Sequence, residues 1–147
     1  MRKTLWTSLG LATAGLALSA LFWSEVPSPM PIHWDASGHA DAFAPKAFGL
    51  LAFPAMSAGL GALVHALAGN GVPPRAQRAM TRTAVALSAF LLALQGLVVR
   101  AALTPDYALS IGLVVALIGL LFAGLGALVR DVEPNGLFGV RTPWALS

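Results

Sequence analysis

The chain has 147 residues, 57% hydrophobic and 10% charged, with a net charge of +3 and no cysteine. A soluble domain carries about a quarter charged residues, so this composition excludes an ordinary soluble globule, and the missing cysteines exclude disulfides, thiol catalysis and cysteine-ligated metals. The basic residues are divided among short connections and form no stripe, which excludes nucleic acid as an expected partner.

Four apolar blocks of about 20 residues each match a hydrocarbon core of roughly 30 Å. They predict an all-α integral membrane fold, a four-helix transmembrane bundle over residues 1–129 with a tail at 130–147. The first span is expected over about 4–23, with Trp6 and Trp23 as interfacial aromatics at its ends. Arg2 and Lys3 before this run imitate a signal peptide, but the run is long for one, and a retained helix is expected.

A long connection follows over 24–46. Pro27, Pro29 and Pro31 make a stiff extended strut. Ile32 and Trp34 flank His33, and an extended backbone would turn them together and His33 the other way. Asp35-Ala36-Ser37-Gly38 reads as a turn in which Asp35 accepts backbone hydrogen bonds and Gly38 takes positive φ. Asp41 is expected to do the same one turn later, or to join His33 and Lys46 in holding the loop on the bundle.

The second span, about 47–67, contains Pro54, which predicts a kink or local unwinding. His65 near its end reads as an interfacial or packed residue. Gly69-Asn70-Gly71-Val72-Pro73-Pro74 breaks the chain and is followed by a basic helix start, and the third span is expected over about 80–103. Within it, Gln95 needs a partner across the bundle or floors a polar cavity. Arg100 either snorkels to the headgroups or pairs with Asp106, Asp35 or Asp41. Pro105 is expected just inside the start of the last span, about 108–129. Gly10/Ala14, Ala55/Gly59, Ser57/Gly61 and Gly119/Ala123 are candidate helix-packing pairs.

Orientation follows from the basic residues. With the N-terminus inside, Arg2, Lys3, Arg75, Arg78, Arg82, Arg130 and Arg141 lie on the cytoplasmic side, against Lys46 and Arg100 opposite. Positive residues favour the inside, so both termini are expected in the cytoplasm and the long loop outside. Anionic lipids would reinforce that placement at Arg75, Arg78 and Arg82.

His33, Asp35, His39 and Asp41 are metal-ligating types, but their spacing matches no strong metal pattern. His33, His39 and Asp41 are the best candidates, and no metal or cofactor is assigned. Ser37 beside His39 is too close in sequence to count as evidence for a nucleophile–base pair, although folding could bring Ser37 near His33, and no third, orienting group is identifiable.

Pro31-x-His33-Trp34-x-x-x-Gly38-x-x-Asp41-x-x-x-x-Lys46 resembles the signature of DUF1648, a small bacterial membrane domain. The stretch Asn135-Gly136-Leu137-Phe138-Gly139-Val140-Arg141-Thr142-Pro143-Trp144 resembles the hallmark of the SdpI family, named for an immunity protein against a secreted peptide toxin that also binds a repressor at the membrane. The resemblance implies a multi-pass protein of the bacterial cytoplasmic membrane, an extracellular peptide toxin and a cytoplasmic regulator as partners, and two signatures. The outer one is Pro31, His33, Trp34, Gly38, Asp41 and Lys46. The inner one is Asn135, Gly139, Arg141, Thr142, Pro143 and Trp144. Family members continue into further helices where this sequence ends at Ser147, so it is either a piece of a longer protein or a short natural variant. A homo-oligomer could supply the packing surface of those helices.

The leading expectation is a non-enzymatic immunity or signalling protein, with Pro31, His33, Trp34, Asp35, Gly38, His39, Asp41 and Lys46 recognising or shielding against a peptide or lipid-linked ligand. The alternatives are a small transporter or channel-like component with polar access near Gln95 and Arg100, and a membrane enzyme using His33, Asp41 and Lys46.

Overall fold

The computed structural model of the chain describes residues 2–68 and 72–129. The expected tail signature from Asn135 to Trp144 and the Gly69-Asn70-Gly71 turn lie outside the described residues.

The element order is α1 (Arg2–Leu21), β1 (Met30–Trp34), β2 (Ala40–Ala44), α2 (Lys46–Leu67), α3 (Pro74–Ala102) and α4 (Ile111–Val129). The chain is thus mostly helical, as expected, but the long connection is not irregular. It folds into an antiparallel hairpin. Helices α2, α3 and α4 are long and apolar enough to cross a membrane; α1 carries a shorter apolar stretch, Leu5–Leu21. Large side chains such as Trp6, Leu120 and Phe122 stand about 70% exposed. In water such exposure would be costly, so these faces point to a lipid environment.

Helices α1, α2 and α3 pack on one another, and α4 packs on α3. The α1–α2 seam can be followed residue by residue. Ser19 meets Leu50, Gly15 meets Pro54, and Ser8 meets Gly61. Both helices advance by four and then seven residues, the spacing of antiparallel helices packed at a shallow angle. Small residues set the approach: a Cβ on Gly15 would lie 3.0 Å from Pro54 Cγ, and one on Gly61 would lie 2.8 Å from Ser8 Cβ. The expected Ser57/Gly61 pair belongs to this seam. The other three do not pack helices here, because Gly10, Gly59 and Gly119 have no atom within 4 Å of a Cβ position.

Pro54 does not break α2. A proline lacks the N–H that would bond the carbonyl four residues earlier. That carbonyl, on Leu50, instead accepts from Ser19 Oγ at 2.7 Å and from Gln95 Nε2 at 3.2 Å. Neighbouring helices thereby replace the bond that α2 loses.

One boundary follows expectation and one differs. Helix α3 begins at Pro74 with Pro73 as its cap, the basic helix start expected after the breaker and about two turns ahead of the span at Met80; proline is at home in a first helical turn. Arg75, Arg78 and Arg82 are consequently helical. Helix α4 begins at Ile111, and Pro105 lies in the preceding turn. The backbone of Tyr107 and Leu109 bonds to the hairpin instead, which holds that segment out of the helix.

Candidate functional site: the hairpin cap

The hairpin plugs one end of the three-helix bundle. Met30 is fully buried among Val26, Leu50, Val98, Val99 and Ala102, with Phe22, Trp34 and Phe53 packed around them. A Cβ on Gly49 would collide with Met30 Sδ, so the glycine in the first turn of α2 makes room for the anchor.

Three further contacts fix the hairpin to the α3–α4 turn. Trp34 Nε1 donates to the Tyr107 carbonyl at 2.6 Å, and Leu109 N donates to the Gly38 carbonyl at 3.0 Å. The Phe43 and Tyr107 rings meet edge-to-face, 5.8 Å between centroids, a favoured aromatic geometry. Tyr107 has φ 53°, which turns the segment toward the hairpin.

Strand register decides what is displayed. Met30 pairs with Ala44, Pro31 with Phe43, His33 with Ala42 and Trp34 with Ala40. The ladder slips on each side of His33, leaving Ile32 unpaired on β1 and Asp41 unpaired on β2. Bulges redirect side chains. In place of the expected alternation, Ile32 and His33 are both exposed, while Trp34 is half-buried. His33 Nδ1 lies 2.6 Å from Asp41 Oδ1 on the solvent face, and no other ion pair joins two described residues.

The turn follows the expected chemistry. Asp35 Oδ1 accepts from Ser37 N at 2.8 Å, Ser37 Oγ at 2.6 Å and His39 N at 3.0 Å. The Ser37 hydroxyl bond, then the His39 backbone bond, hold the Asp35 carboxyl below its ordinary pKa, because both favour the charged form. Gly38 takes φ 89°, and a Cβ there would also collide with the Leu109 carbonyl. Glycine is thus required twice over.

Several expected groupings do not form. Lys46 does not reach His33 or Asp41: its Nζ donates to the Trp23 carbonyl at 2.8 Å and lies 5.4 Å above the Trp23 ring. It therefore neutralises the carbonyl end of α1. Asp41 caps no turn, because the bulge brings it to His33. Arg100 is exposed and pairs with none of Asp35, Asp41 and Asp106; it lines a cleft of about 300 Å³ with Thr104 and Ser110. Main-chain bonds to Tyr107 and Leu109 tie the cap to the bundle instead.

Ser37 Oγ lies 2.9 Å from His39 Nδ1 and donates to Asp35. The hydroxyl sits between acid and histidine, with its proton directed at the Asp35 carboxylate. Among the described residues no three His, Asp or Glu side chains converge as a metal site would require; His33 with Asp41 and His39 with Ser37 are separate pairs.

Gln95 is fully buried. Its Nε2 lies 3.0 Å from the Gly15 carbonyl, 2.7 Å from Ser19 Oγ and 3.2 Å from the Leu50 carbonyl. Acceptors on every side assign the nitrogen to this position. Its Oε1 has no hydrogen-bond partner and faces Gly15, where a Cβ would lie 2.6 Å away. The amide clamps α1, α2 and α3 together below the cap rather than flooring an open polar cavity. His65 is exposed near the far end of α2.

Sequence reasoning did not find Met30, Tyr107, Leu109 or the Ser19–Leu50–Gln95 cluster. Tyr107 is the sole tyrosine of the chain, and Pro54 implied a freed Leu50 carbonyl; those were the available signals.

Residues 10–58 match the family described as domain of unknown function (DUF1648). The match runs from α1 through the hairpin into α2, and it contains Pro31, His33, Trp34, Gly38, Asp41 and Lys46 but neither Gln95 nor Tyr107. No curated protein and no solved structure matches the chain.

Proposed function

We propose that this is a non-enzymatic protein of the bacterial cytoplasmic membrane whose hairpin faces outward as a rigid recognition or shielding cap against an extracellular peptide or lipid-linked ligand. DUF1648 is found in SdpI-like proteins, and the match at 10–58, together with the Arg-Thr-Pro-Trp segment at 141–144, supports an immunity or signalling role of that type. The carrying observation is the division of labour on the hairpin. One face, through Met30, Trp34 and Gly38, is locked to the bundle. The other holds Ile32, His33, Asp41 and Phe43 exposed. A pre-ordered surface of apolar and charged groups binds a partner without an ordering cost.

The Arg and Lys distribution supports the outward orientation and cytoplasmic termini. The tail signature would then face a cytoplasmic regulator.

The test is survival of cells challenged with a membrane-active antimicrobial peptide, comparing wild type with His33→Ala and Asp41→Ala at equal expression. Protection by wild type that both substitutions weaken supports the cap as the working element. Full protection by both variants contradicts that role, and no protection by wild type contradicts immunity.

A further inference from the structure

Helix α4 offers a second feature, independent of the cap. Its packing partner is α3, and a groove of about 240 Å³ runs between them, lined by Phe90, Ala93, Leu120 and Gly124. A wider groove of about 510 Å³ continues from the shared residues Ala86 and Gly124 to Thr81 and Arg82. The walls are apolar apart from Thr81 and, on α1, Thr7, and they end on a guanidinium.

The dimensions suit one kind of occupant. From Ala93 to Arg82 the groove follows about three turns of α3, or about 16 Å at 1.5 Å per residue. That is about half of a hydrocarbon core of roughly 30 Å, one leaflet's depth of acyl chain. Arg82 is exposed and has no carboxylate partner among the described residues. Every acidic residue among them, Glu25, Asp35, Asp41 and Asp106, lies in the hairpin region or the α3–α4 turn at the opposite end of the bundle. Basic pockets between membrane helices accept anionic headgroups.

The geometry points to an anionic phospholipid seated between α3 and α4, its acyl chain in the Phe90–Gly124 groove and its phosphate at Arg82. A free phosphate would meet the arginine but leave the groove unfilled, so a headgroup without a chain should not compete.

Purified protein in mild detergent, given equal amounts of phosphatidylglycerol and phosphatidylethanolamine, is read by native mass spectrometry for retained lipid. The expected result is about fivefold preference for phosphatidylglycerol, the discrimination of one arginine at an anionic surface. Arg82→Gln abolishes the preference and Arg82→Lys keeps most of it. Gly124→Leu reduces retention of both lipids; no atom lies within 4 Å of a Cβ there, so the added side chain starts from open space on the groove wall. Glycerol phosphate in excess displaces nothing. Equal retention of the two lipids by wild type, undiminished preference in Arg82→Gln, undiminished retention in Gly124→Leu, or displacement by glycerol phosphate would each overturn the proposal.

Discussion

Gln95 Nε2 and the Leu50 carbonyl, 3.2 Å apart across α3 and α2, are joined because Pro54 cannot bond that carbonyl within α2. The two residues should therefore be energetically coupled through the proline. Gln95→Leu in the wild-type background leaves the Leu50 and Gly15 carbonyls with fewer donors and is expected to cost about 1–2 kcal/mol, the upper range for hydrogen bonds between membrane helices. In a Pro54→Ala background the helix supplies its own donor, and the same substitution should cost less. A double-mutant cycle read by detergent unfolding measures the difference; equal costs in both backgrounds would contradict the coupling.

Gly15 and Gly10 make a matched pair of tests on one helix. Gly15→Ala forces a Cβ to 2.6 Å from Gln95 Oε1 and 3.0 Å from Pro54 Cγ, an overpacking expected to cost about 1–3 kcal/mol. Gly10→Ala meets nothing within 4 Å and should be neutral, or stabilising by up to about 1 kcal/mol from helix propensity. Thermal unfolding of both variants in the same detergent separates seam glycines from lipid-facing ones.

Gly38→Ala combines left-handed backbone strain with a collision at the Leu109 carbonyl. A loss of about 1–3 kcal/mol is expected, with faster hydrogen exchange across 30–44 and 107–109. Trp34→Phe removes the indole bond to Tyr107 at a cost of about 1 kcal/mol and should loosen the same two segments without straining the turn.

Asp35 gives the cap a defined acid limit. Its folded-state pKa lies below the ordinary 3.8, so the charged, bonded form stabilises the turn at neutral pH. That contribution is present above pH 3.8 and is lost as pH falls through the lower folded value. Exchange protection of the Ser37 and His39 amides should hold at pH 5 and fail as pH falls through the folded value, which lies below 3.8, in wild type. In Asp35→Asn it should be weaker throughout and insensitive to pH over that range.

The sequence carried the helices and the Asp35–Gly38 turn, because apolar length and turn chemistry are local signals. Pairing of β1 with β2 was hidden: three prolines suggested a strut, and a strand of Met, Pro, Ile, His and Trp shows no alternation once a bulge intervenes. Lys46 stands close in sequence to Asp41 and His33, the partners expected for it, whereas the carbonyl it reaches, on Trp23 just beyond α1, lies 23 residues away. Gln95 was recognised as needing a partner, but its clamp depends on the α1–α2 register. That register emerges only when Gly15 faces Pro54 and Ser8 faces Gly61.

The chain contains no cysteine, so a single Ala36→Cys substitution at the exposed hairpin tip reports its side of the membrane without background. An outward cap predicts labelling of intact cells by a membrane-impermeant maleimide, with no increase on permeabilisation. Labelling only after permeabilisation would contradict the outward cap and the recognition role built on it.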